Sequence, residues 1–381
     1  MAGDIFGRAL RLISFGESHG KVVGAVLEGV PAGLPLSEED VQWLLDLRKP
    51  GQSSVTTTRR EEDRVKIVSG VFKGKTTGAP ITMVVENRDV ISSYYEEYFY
   101  RPRPGHADYV ARLKYGGFND YRGGGRFSGR ITVSMVMGGA VAMKLLRLIG
   151  VEVMAYTLEI GGVRAENFTL EDVKARYSNE VRTPDSKAAL KMKEVIERAR
   201  REGDSVGGIV EVLALNLPPG LGEPVFDTIE GDLAKAMFAI PAVKGVEFGS
   251  GFKAARMRGS EHNDPYVVRD GKVSFASNNH GGALGGMTTG APLIMRVAFK
   301  PTASIAKPQR TVDLRTMEEV TIRVKGRHDP CIVPRAVPVV EAMTSLVLAD
   351  HAILSGYIPR VLEGAFDGDE GEDKGSHPKD L

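Results

Sequence analysis

Residues 119–130 read N-D-Y-R-G-G-G-R-F-S-G-R, and they run directly into the apolar stretch 131–149. The three consecutive glycines allow backbone conformations that other residues resist, so their N–H groups can turn toward a bound group. Arginines flank the glycines, and the N-terminus of the helix predicted to follow adds favourable partial charge for an anion. This segment therefore predicts an anion site at the start of a buried helix. The alternative for the segment alone is a tight turn with solvated arginines.

A second apolar stretch, residues 334–354, has a similar setting, because it follows the basic segment K-G-R-H-D-P at 325–330. Residues 131–149 are apolar on nearly every face, which is typical of a helix buried on all sides. Period-two patterns predict strands at 22–27, 65–69, 81–86, 151–160, 207–215, 293–300 and 320–324. Further helices are predicted at 170–177, 186–203 and 226–238. The two halves of the chain thus resemble each other in architecture, although no fixed sequence period repeats.

The overall charge argues against a general nucleic-acid binder. A chain of 381 residues with a net charge of +1 lacks the basic surface that counterion release requires. Basic residues are instead concentrated locally: residues 101–130 contain seven Lys or Arg against two Asp. Such a cluster favours a site for a small anion over a track for a polyanion.

The single cysteine, Cys331, excludes an intrachain disulfide and a cysteine-rich zinc site. We expect a reducing, cytoplasmic setting and no metal. No apolar run reaches about 18 uninterrupted residues, so no transmembrane helix is predicted. The N-terminus lacks the basic and apolar segments of a secretory signal.

Other glycine-, histidine- and arginine-containing motifs occur along the chain. They are F-G-E-S-H-G at 15–20, R-P-G-H-A-D at 103–108, S-N-N-H-G-G-A-L-G-G at 277–286 and K-P-T-A-S at 300–304. Histidine in an open loop can donate a proton or stabilise a negative oxygen near neutral pH. The aromatic run at 94–100 is interpreted as an exposed patch for subunit contacts.

Taken in order, these motifs resemble the chorismate synthase family over about residues 4–357. The resemblance implies an α+β fold, a β-α-β sandwich with central helices between two antiparallel sheets and pseudo-twofold halves. It also implies a cytoplasmic homotetramer. We expect residues 1–360 to form a single large domain. The acidic tail at 361–381 is predicted to be disordered, because it contains little that is apolar.

The resemblance further implies a lyase that depends on reduced FMN. Its reaction would be the anti 1,4-elimination of phosphate from 5-enolpyruvylshikimate 3-phosphate, which gives chorismate without net redox change in the last step of the shikimate pathway. NADPH is a possible reductant of the flavin. An external reductant is the alternative that the sequence leaves open.

The family pattern also implies roles for individual residues. The substrate-binding set is Arg48, Arg103, Ser128 and Arg130. His19 would stabilise the departing phosphate, His106 would protonate or stabilise the reduced flavin, and Asp329 would set the protonation of the flavin. The flavin-binding set is Arg126, Phe127, Ser128, Gly285, Lys300, Pro301, Thr302, Ala303, Ser304 and Arg327.

Two positions depart from the family pattern. Residues 52–54 read Q-S-S where another arginine is usual, and Pro241 precedes Ala242 where Asn-Ala is common.

Two other classes of protein fit parts of the sequence. An anion-binding module without chemistry would use the same glycine–arginine loops, but it would need no flavin. An RNA-binding protein would explain the RGG-like element, although the near-neutral charge argues against it.

Overall fold

A computed structural model of the chain describes residues 3–51, 62–88, 92–326 and 328–362. Helices and strands are both abundant in these residues, so the predicted α+β class is confirmed. The family contact at 52–54, the predicted flavin contact at Arg327 and residues 363–381 of the acidic tail lie outside the described residues.

The strands fall into two five-stranded sheets and several short hairpins. In chain order they are β1 (Ile5–Phe6), β2 (Arg11–Gly16), β3 (Val22–Glu28), β4 (Val65–Ile67), β5 (Val71–Phe72), β6 (Lys75–Thr76), β7 (Ile81–Glu86), β8 (Glu152–Ile160), β9 (Val163–Arg164), β10 (Gly208–Leu215), β11 (Val243–Phe248), β12 (Tyr266–Arg269), β13 (Lys272–Phe275), β14 (Ala283–Leu284), β15 (Met287–Thr288), β16 (Leu293–Phe299), β17 (Gln309–Asp313) and β18 (Glu318–Ile322).

The α-helices lie between and around the strands. They are α1 (Glu39–Arg48), α2 (Tyr95–Tyr100), α3 (Asp108–Lys114), α4 (Thr132–Arg147), α5 (Leu170–Lys174), α6 (Ser186–Arg201), α7 (Ile229–Phe238), α8 (Gly259–His262) and α9 (Val333–Leu354). The helix predicted at 226–238 begins three residues late, because the Thr228 hydroxyl accepts a hydrogen bond from the Gly231 amide and caps it.

Both large sheets are antiparallel throughout. The first has the strand order β1-β2-β3-β7-β4, and the second has the order β11-β16-β10-β8-β9. In β16 every second side chain is fully buried while its neighbours are half-buried, so one face of the sheet packs on the core. The strand-like alternation of the sequence reflects this burial.

The two apolar helices, α4 and α9, form the centre of the core. They pack against each other; α4 also contacts β2 and β3, and α9 contacts β8 and β10. Each helix is long and apolar enough to span a membrane by length and composition, yet 89% of each apolar window is buried inside the protein. Charged residues interrupt both windows, so the prediction that no apolar run reaches about 18 uninterrupted residues holds, and both are core helices of the folded chain.

A buried carboxylate fixes α9 against its neighbours. Glu341, in the middle of α9, accepts hydrogen bonds from the Ala155 amide at 2.9 Å and the Tyr177 hydroxyl at 2.6 Å, and it pairs with Arg176. Because a buried charge is costly unless it is paired and hydrogen-bonded, these contacts allow Glu341 to lie within an apolar helix.

The aromatic run at 94–100 is only in part the exposed patch that the sequence predicted, because Tyr94 is exposed while Tyr95, Phe99 and Tyr100 are half-buried. Tyr98 is buried against Ile322 and Val324, and its hydroxyl accepts a hydrogen bond from the Lys325 amide at 2.7 Å. Helix α2 thus packs inward, because its aromatic rings cover the β17–β18 hairpin.

The α4–α9 contact depends on Gly139. A Cβ atom at this position would lie 2.3 Å from the Cβ of Ala342 and 2.5 Å from its carbonyl oxygen. Gly139→Ala should therefore lower the free energy of unfolding by about 2 kcal/mol, because the helices must move apart. Urea denaturation measures this loss.

Gly259→Ala is the matched control, since a Cβ at Gly259 would meet no atom within 4 Å. We expect its effect to stay within about 0.5 kcal/mol. Equal stabilities for Gly139→Ala and the wild type would contradict close packing of the two helices.

Candidate active site

A cleft of about 570 Å³ opens at the beginnings of both central helices. Its walls include the end of α1, the loop before α4, the end of β16 and the first turns of α9. The predicted site residues that line it are Arg48, Arg103, His106, Arg126, Phe127, Ser128, Arg130, Lys300, Thr302, Ala303, Ser304 and Asp329. The structure thus brings together residues from four distant parts of the chain.

The glycine loop before α4 adopts a conformation that only glycine takes readily. Gly123, Gly124 and Gly125 have φ values of 62°, 83° and 52°, all in the left-handed region. A Cβ on Gly123 would lie 2.3 Å from the His19 ring, and one on Gly124 would lie 3.1 Å from the His106 ring. The loop is therefore bare backbone where it passes two of the predicted catalytic residues.

Arg48 and Arg130 lie side by side at one wall of the cleft, and both are buried. The Nη1 of Arg48 contacts one carboxylate oxygen of Asp63 at 2.9 Å, and Arg130 pairs with the other oxygen. Arg48 also donates to the Thr132 hydroxyl at 3.0 Å, and Arg130 donates to the Asn87 side chain at 2.9 Å. One carboxylate thus holds two guanidinium groups.

These contacts decide the charges at this wall. Burial lowers the pKa of Arg48 to about 9, and the negative charge of Asp63 opposes that effect, so Arg48 is still protonated at neutral pH. Burial on its own would raise the pKa of Asp63, but Arg48 and Arg130 outweigh it and hold that pKa below its usual value. The wall therefore carries two positive charges against one negative charge.

Arg103 and His106 occupy another wall, where Asp108 holds both. The Nε and Nη2 of Arg103 each donate to the Asp108 carboxylate at 2.8 Å, and the Nδ1 of His106 lies 2.7 Å from it. Burial alone would raise the pKa of Asp108, but hydrogen bonds from Arg103 and His106 hold it well below its usual range. Arg103 also donates to the Ser304 hydroxyl at 3.2 Å.

Asp329 and Arg335 form a third charged pair, at the start of α9. Their side chains meet at 2.5 Å, and the Nε of Arg335 donates to the backbone carbonyl of Arg48 at 3.3 Å. His328 lies next to them, where burial lowers its pKa and its Nε2 donates to the carbonyl of Val324 at 3.3 Å. The first turn of α9 is thus connected to the arginine wall.

His19 lies behind the glycine loop, outside the lining of the cleft. Its Nδ1 is 2.8 Å from the Ser92 hydroxyl, and its ring meets that of Tyr95 edge-on at a centroid distance of 5.2 Å. Tyr95 lines the cleft and also lies under the Arg103 guanidinium. The Nε2 side of His19 faces Gly123, whose backbone lines the cleft, so the glycine loop lies between the imidazole and the cleft.

Two cationic side chains predicted to contact flavin have different surroundings. Arg126 pairs with Asp4 and donates to the Gly16 carbonyl at 2.9 Å. Lys300 donates to the Gly105 carbonyl at 3.1 Å, and burial lowers its pKa. Arg126 is thus paired with a carboxylate, whereas the Lys300 ammonium group lines the cleft and donates to backbone carbonyls.

Two other predicted flavin contacts do not line the cleft. Gly285 lies in the tight turn between β14 and β15, and Pro301 is exposed and does not belong to the lining, although Lys300 and Thr302 on either side of it do. Pro241 and Ala242, which depart from the family pattern, do lie on its wall.

Sequence reasoning missed three residues of the site, namely Asp63, Tyr95 and Arg335. Asp63 lies in a charged segment that looks solvated in the sequence, and Tyr95 lies in the run interpreted as a subunit contact. Arg335 lies just beyond the G-R-H-D-P motif, so its proximity to Asp329 was the available signal, whereas His328 is part of that motif.

Buried arginines, an imidazole and a carboxylate around one cleft define an enzyme that acts on a small, multiply acidic molecule. Comparison with known proteins agrees, since the sequence profile of the family "Chorismate synthase" matches residues 10–353. The chain belongs to the chorismate synthase family, and thus to the lyases that cleave carbon–oxygen bonds to phosphate.

Individual relatives are similar over nearly the whole chain. The chorismate synthase of Korarchaeum cryptofilum is 71% identical over 93% of this chain and 99% of its own length. That of Pyrococcus abyssi is 58% identical over 91% of this chain and 97% of its own length. A crystal structure of a chorismate synthase superimposes with a TM-score of 0.73 at 33% identity, covering 92% of this chain and 93% of that one.

Gly123→Ala tests whether the glycine loop sets the position of His19. The added methyl group would collide with the His19 ring and the Ser18 hydroxyl. We expect kcat/KM for chorismate formation to fall by at least about tenfold, because a small displacement at a site is costly. Steady-state kinetics measure the loss.

Gly74→Ala is the control, because Gly74 has a similar φ of +75° but no atom within 4 Å of its added Cβ. Both variants carry the backbone cost of a left-handed alanine, about 1 kcal/mol. If Gly123→Ala kept the kcat/KM of Gly74→Ala, the loop would not control His19.

Proposed function

We propose that this chain converts 5-enolpyruvylshikimate 3-phosphate to chorismate by anti 1,4-elimination of phosphate. The observation that carries the proposal is the convergence of Arg48, Arg103 and Arg130 on one cleft, with His106 and Asp329 beside them. Guanidinium groups bind carboxylate and phosphate oxygens through two parallel hydrogen bonds. A substrate with two carboxylates and a phosphate therefore suits these walls.

The residues of the cleft also suit reduced FMN. A volume of about 570 Å³ is in the range of small-molecule and cofactor sites. Lys300, Thr302, Ala303 and Ser304 would hold the flavin from the end of β16, and Arg126 and Phe127 would hold it from the glycine loop. When bound, reduced FMN supplies electron density to the elimination and is not consumed.

The chain's own titratable groups would handle the protons of this reaction. The elimination breaks the carbon–oxygen bond to phosphate and one ring carbon–hydrogen bond. His19, behind the glycine loop, would stabilise the negative charge on the departing phosphate. His106, oriented by Asp108, would donate a proton to the reduced flavin or stabilise it, and Asp329, oriented by Arg335, would act as the base that sets the protonation of the flavin.

We also propose the finer architecture and setting that the family implies. The contacts of α4 with β2 and β3, and of α9 with β8 and β10, support a β-α-β sandwich with pseudo-twofold halves. One continuous apolar core includes residues of both sheets, which supports a single domain over residues 1–360. A cytoplasmic homotetramer and the use of NADPH as reductant remain proposals from the family alone.

An anaerobic assay tests the function directly. Purified protein is mixed with photoreduced FMN and 5-enolpyruvylshikimate 3-phosphate, and phosphate release is followed together with chorismate absorbance. We expect both products in equal amounts, only with reduced flavin, and with the flavin returned unchanged. Oxidised FMN with NADPH in a parallel reaction decides whether this chain reduces its own flavin.

Binding of the substrate without release of phosphate under these conditions would contradict the lyase proposal. The fold and the anion site would then support a binding module instead.

Asp329→Asn and His106→Ala test the proton-holding roles. With pre-reduced FMN, each should lower kcat by about 100-fold, which is the usual contribution of a general acid or base. Asp313→Asn is the control, because Asp313 pairs with Arg101 and Arg315 and lies outside the cleft lining. Near-wild-type turnover in either test variant would remove that residue from the mechanism.

A further inference from the structure

We infer that Asp63 is a positioning residue that sets the spacing and orientation of Arg48 and Arg130 for the acidic substrate, an inference that rests on the proposed function. Asp63 lies behind the two arginines and does not line the cleft. Its side chain is 0% exposed, so it acts only through the groups it contacts.

The geometry divides the carboxylate between the two arginines. The Oδ2 of Asp63 accepts from the Nη1 of Arg48 at 2.9 Å, and its Oδ1 accepts from the Nη1 of Arg130. A carboxylate is planar and its oxygens have fixed directions, so this bridge holds the two guanidinium groups at one separation. Arg48 and Arg130 come from different elements; hydrogen bonds from Arg48 to Gly129 and Thr132 join the two segments, and Asp63 is the group that bridges the two guanidinium groups themselves.

Asp63 is itself held in place from two directions. The Gln42 side chain in α1 donates to the Asp63 carbonyl at 3.2 Å and accepts from the Val65 amide at 3.0 Å. Asp63 also has a left-handed φ of 49°, which turns the chain at this point. Gln42 and Arg48 both belong to α1, so the same helix positions the Asp63 backbone and the Arg48 side chain that Asp63 contacts.

The remaining contacts leave donors for a ligand. Within the described chain, Arg48 uses Nε for Thr132, one Nη1 hydrogen for Asp63 and one Nη2 hydrogen for the Gly129 carbonyl at 3.0 Å. A guanidinium has five N–H donors, so these contacts with described residues leave two of them for an anion. Arg130 has a similar arrangement, since Asp63, Asn87 and the Glu86 carbonyl take one donor each.

A positioning role differs from that of a simple counter-ion in its effect on substrate affinity. If Asp63 only neutralised charge, Asp63→Asn would leave two uncompensated cations and would strengthen anion binding. If Asp63 positions the arginines, the same change weakens binding. An asparagine amide has one oxygen, which can accept a hydrogen bond from one guanidinium. Its NH₂ group would face the other guanidinium, and because both are donors no hydrogen bond can form there.

The test measures binding and turnover separately. The Kd of 5-enolpyruvylshikimate 3-phosphate is determined by calorimetry with oxidised FMN present, and kcat and KM are determined with reduced FMN. For Asp63→Asn we expect Kd and KM to rise roughly 10- to 100-fold. Asp63→Glu keeps the charge but moves the carboxylate by one methylene, so it should raise both constants to a smaller extent.

Glu341→Gln is the matched control for loss of a buried carboxylate. Glu341 also pairs with a buried arginine, Arg176, but it lies away from the cleft. We expect this variant to lower the melting temperature and to leave Kd and KM within about twofold of the wild-type values.

An unchanged or lowered Kd in folded Asp63→Asn would overturn the inference. If that variant does not fold, Asp63→Glu supplies the same comparison, and an unchanged Kd there would also overturn it. A wild-type protein that binds the substrate but releases no phosphate would contradict the proposed function alone, because the calorimetric comparison does not need turnover.

Discussion

The close packing of α4 on α9 is the constraint on which the rest of the structure depends. Because Gly139 has no side chain, the helices approach until its Cα faces Ala342 directly. The first turns of both helices then line the same cleft. Helix N-termini carry partial positive charge and unpaired N–H groups, so this packing directs two anion-attracting helix ends to one place.

The cleft adds full charges to these partial charges, and four of its arginines are held by carboxylates. Arg48 and Arg130 share Asp63, Arg103 pairs with Asp108, and Arg335 pairs with Asp329. A buried cation without a partner would be costly, and a cation with a freely rotating side chain would lose entropy when it bound substrate. The carboxylates reduce the cost of burying the cations and the entropy lost on binding. The guanidinium N–H groups that do not contact a carboxylate can then bind an acidic ligand.

Much of this site was predictable from the sequence, the loop and the helices from local patterns and the roles of individual residues from the family resemblance. The glycine loop, the two buried helices and the arginines at 48, 103 and 130 were predicted, and the structure brings them together with His106 and Asp329. Asp63 was not predictable, because nothing in its charged segment indicates that it meets Arg130, 67 residues away. Tyr98 was assigned to the surface for a similar reason: its burial depends on a hairpin more than 200 residues later.

The sequence by itself determined the elements whose cause is local: strands with alternating burial, helices apolar on every face, and a loop that only consecutive glycines can form. Only the tertiary structure decided which charges meet. The burial of a carboxylate depends on atoms that distant segments contribute, and its pKa and its partners depend on that burial. Gly285, which the family pattern assigns to the flavin but which lies outside this cleft, shows the same limit, because a motif specifies residues and the packing specifies their positions.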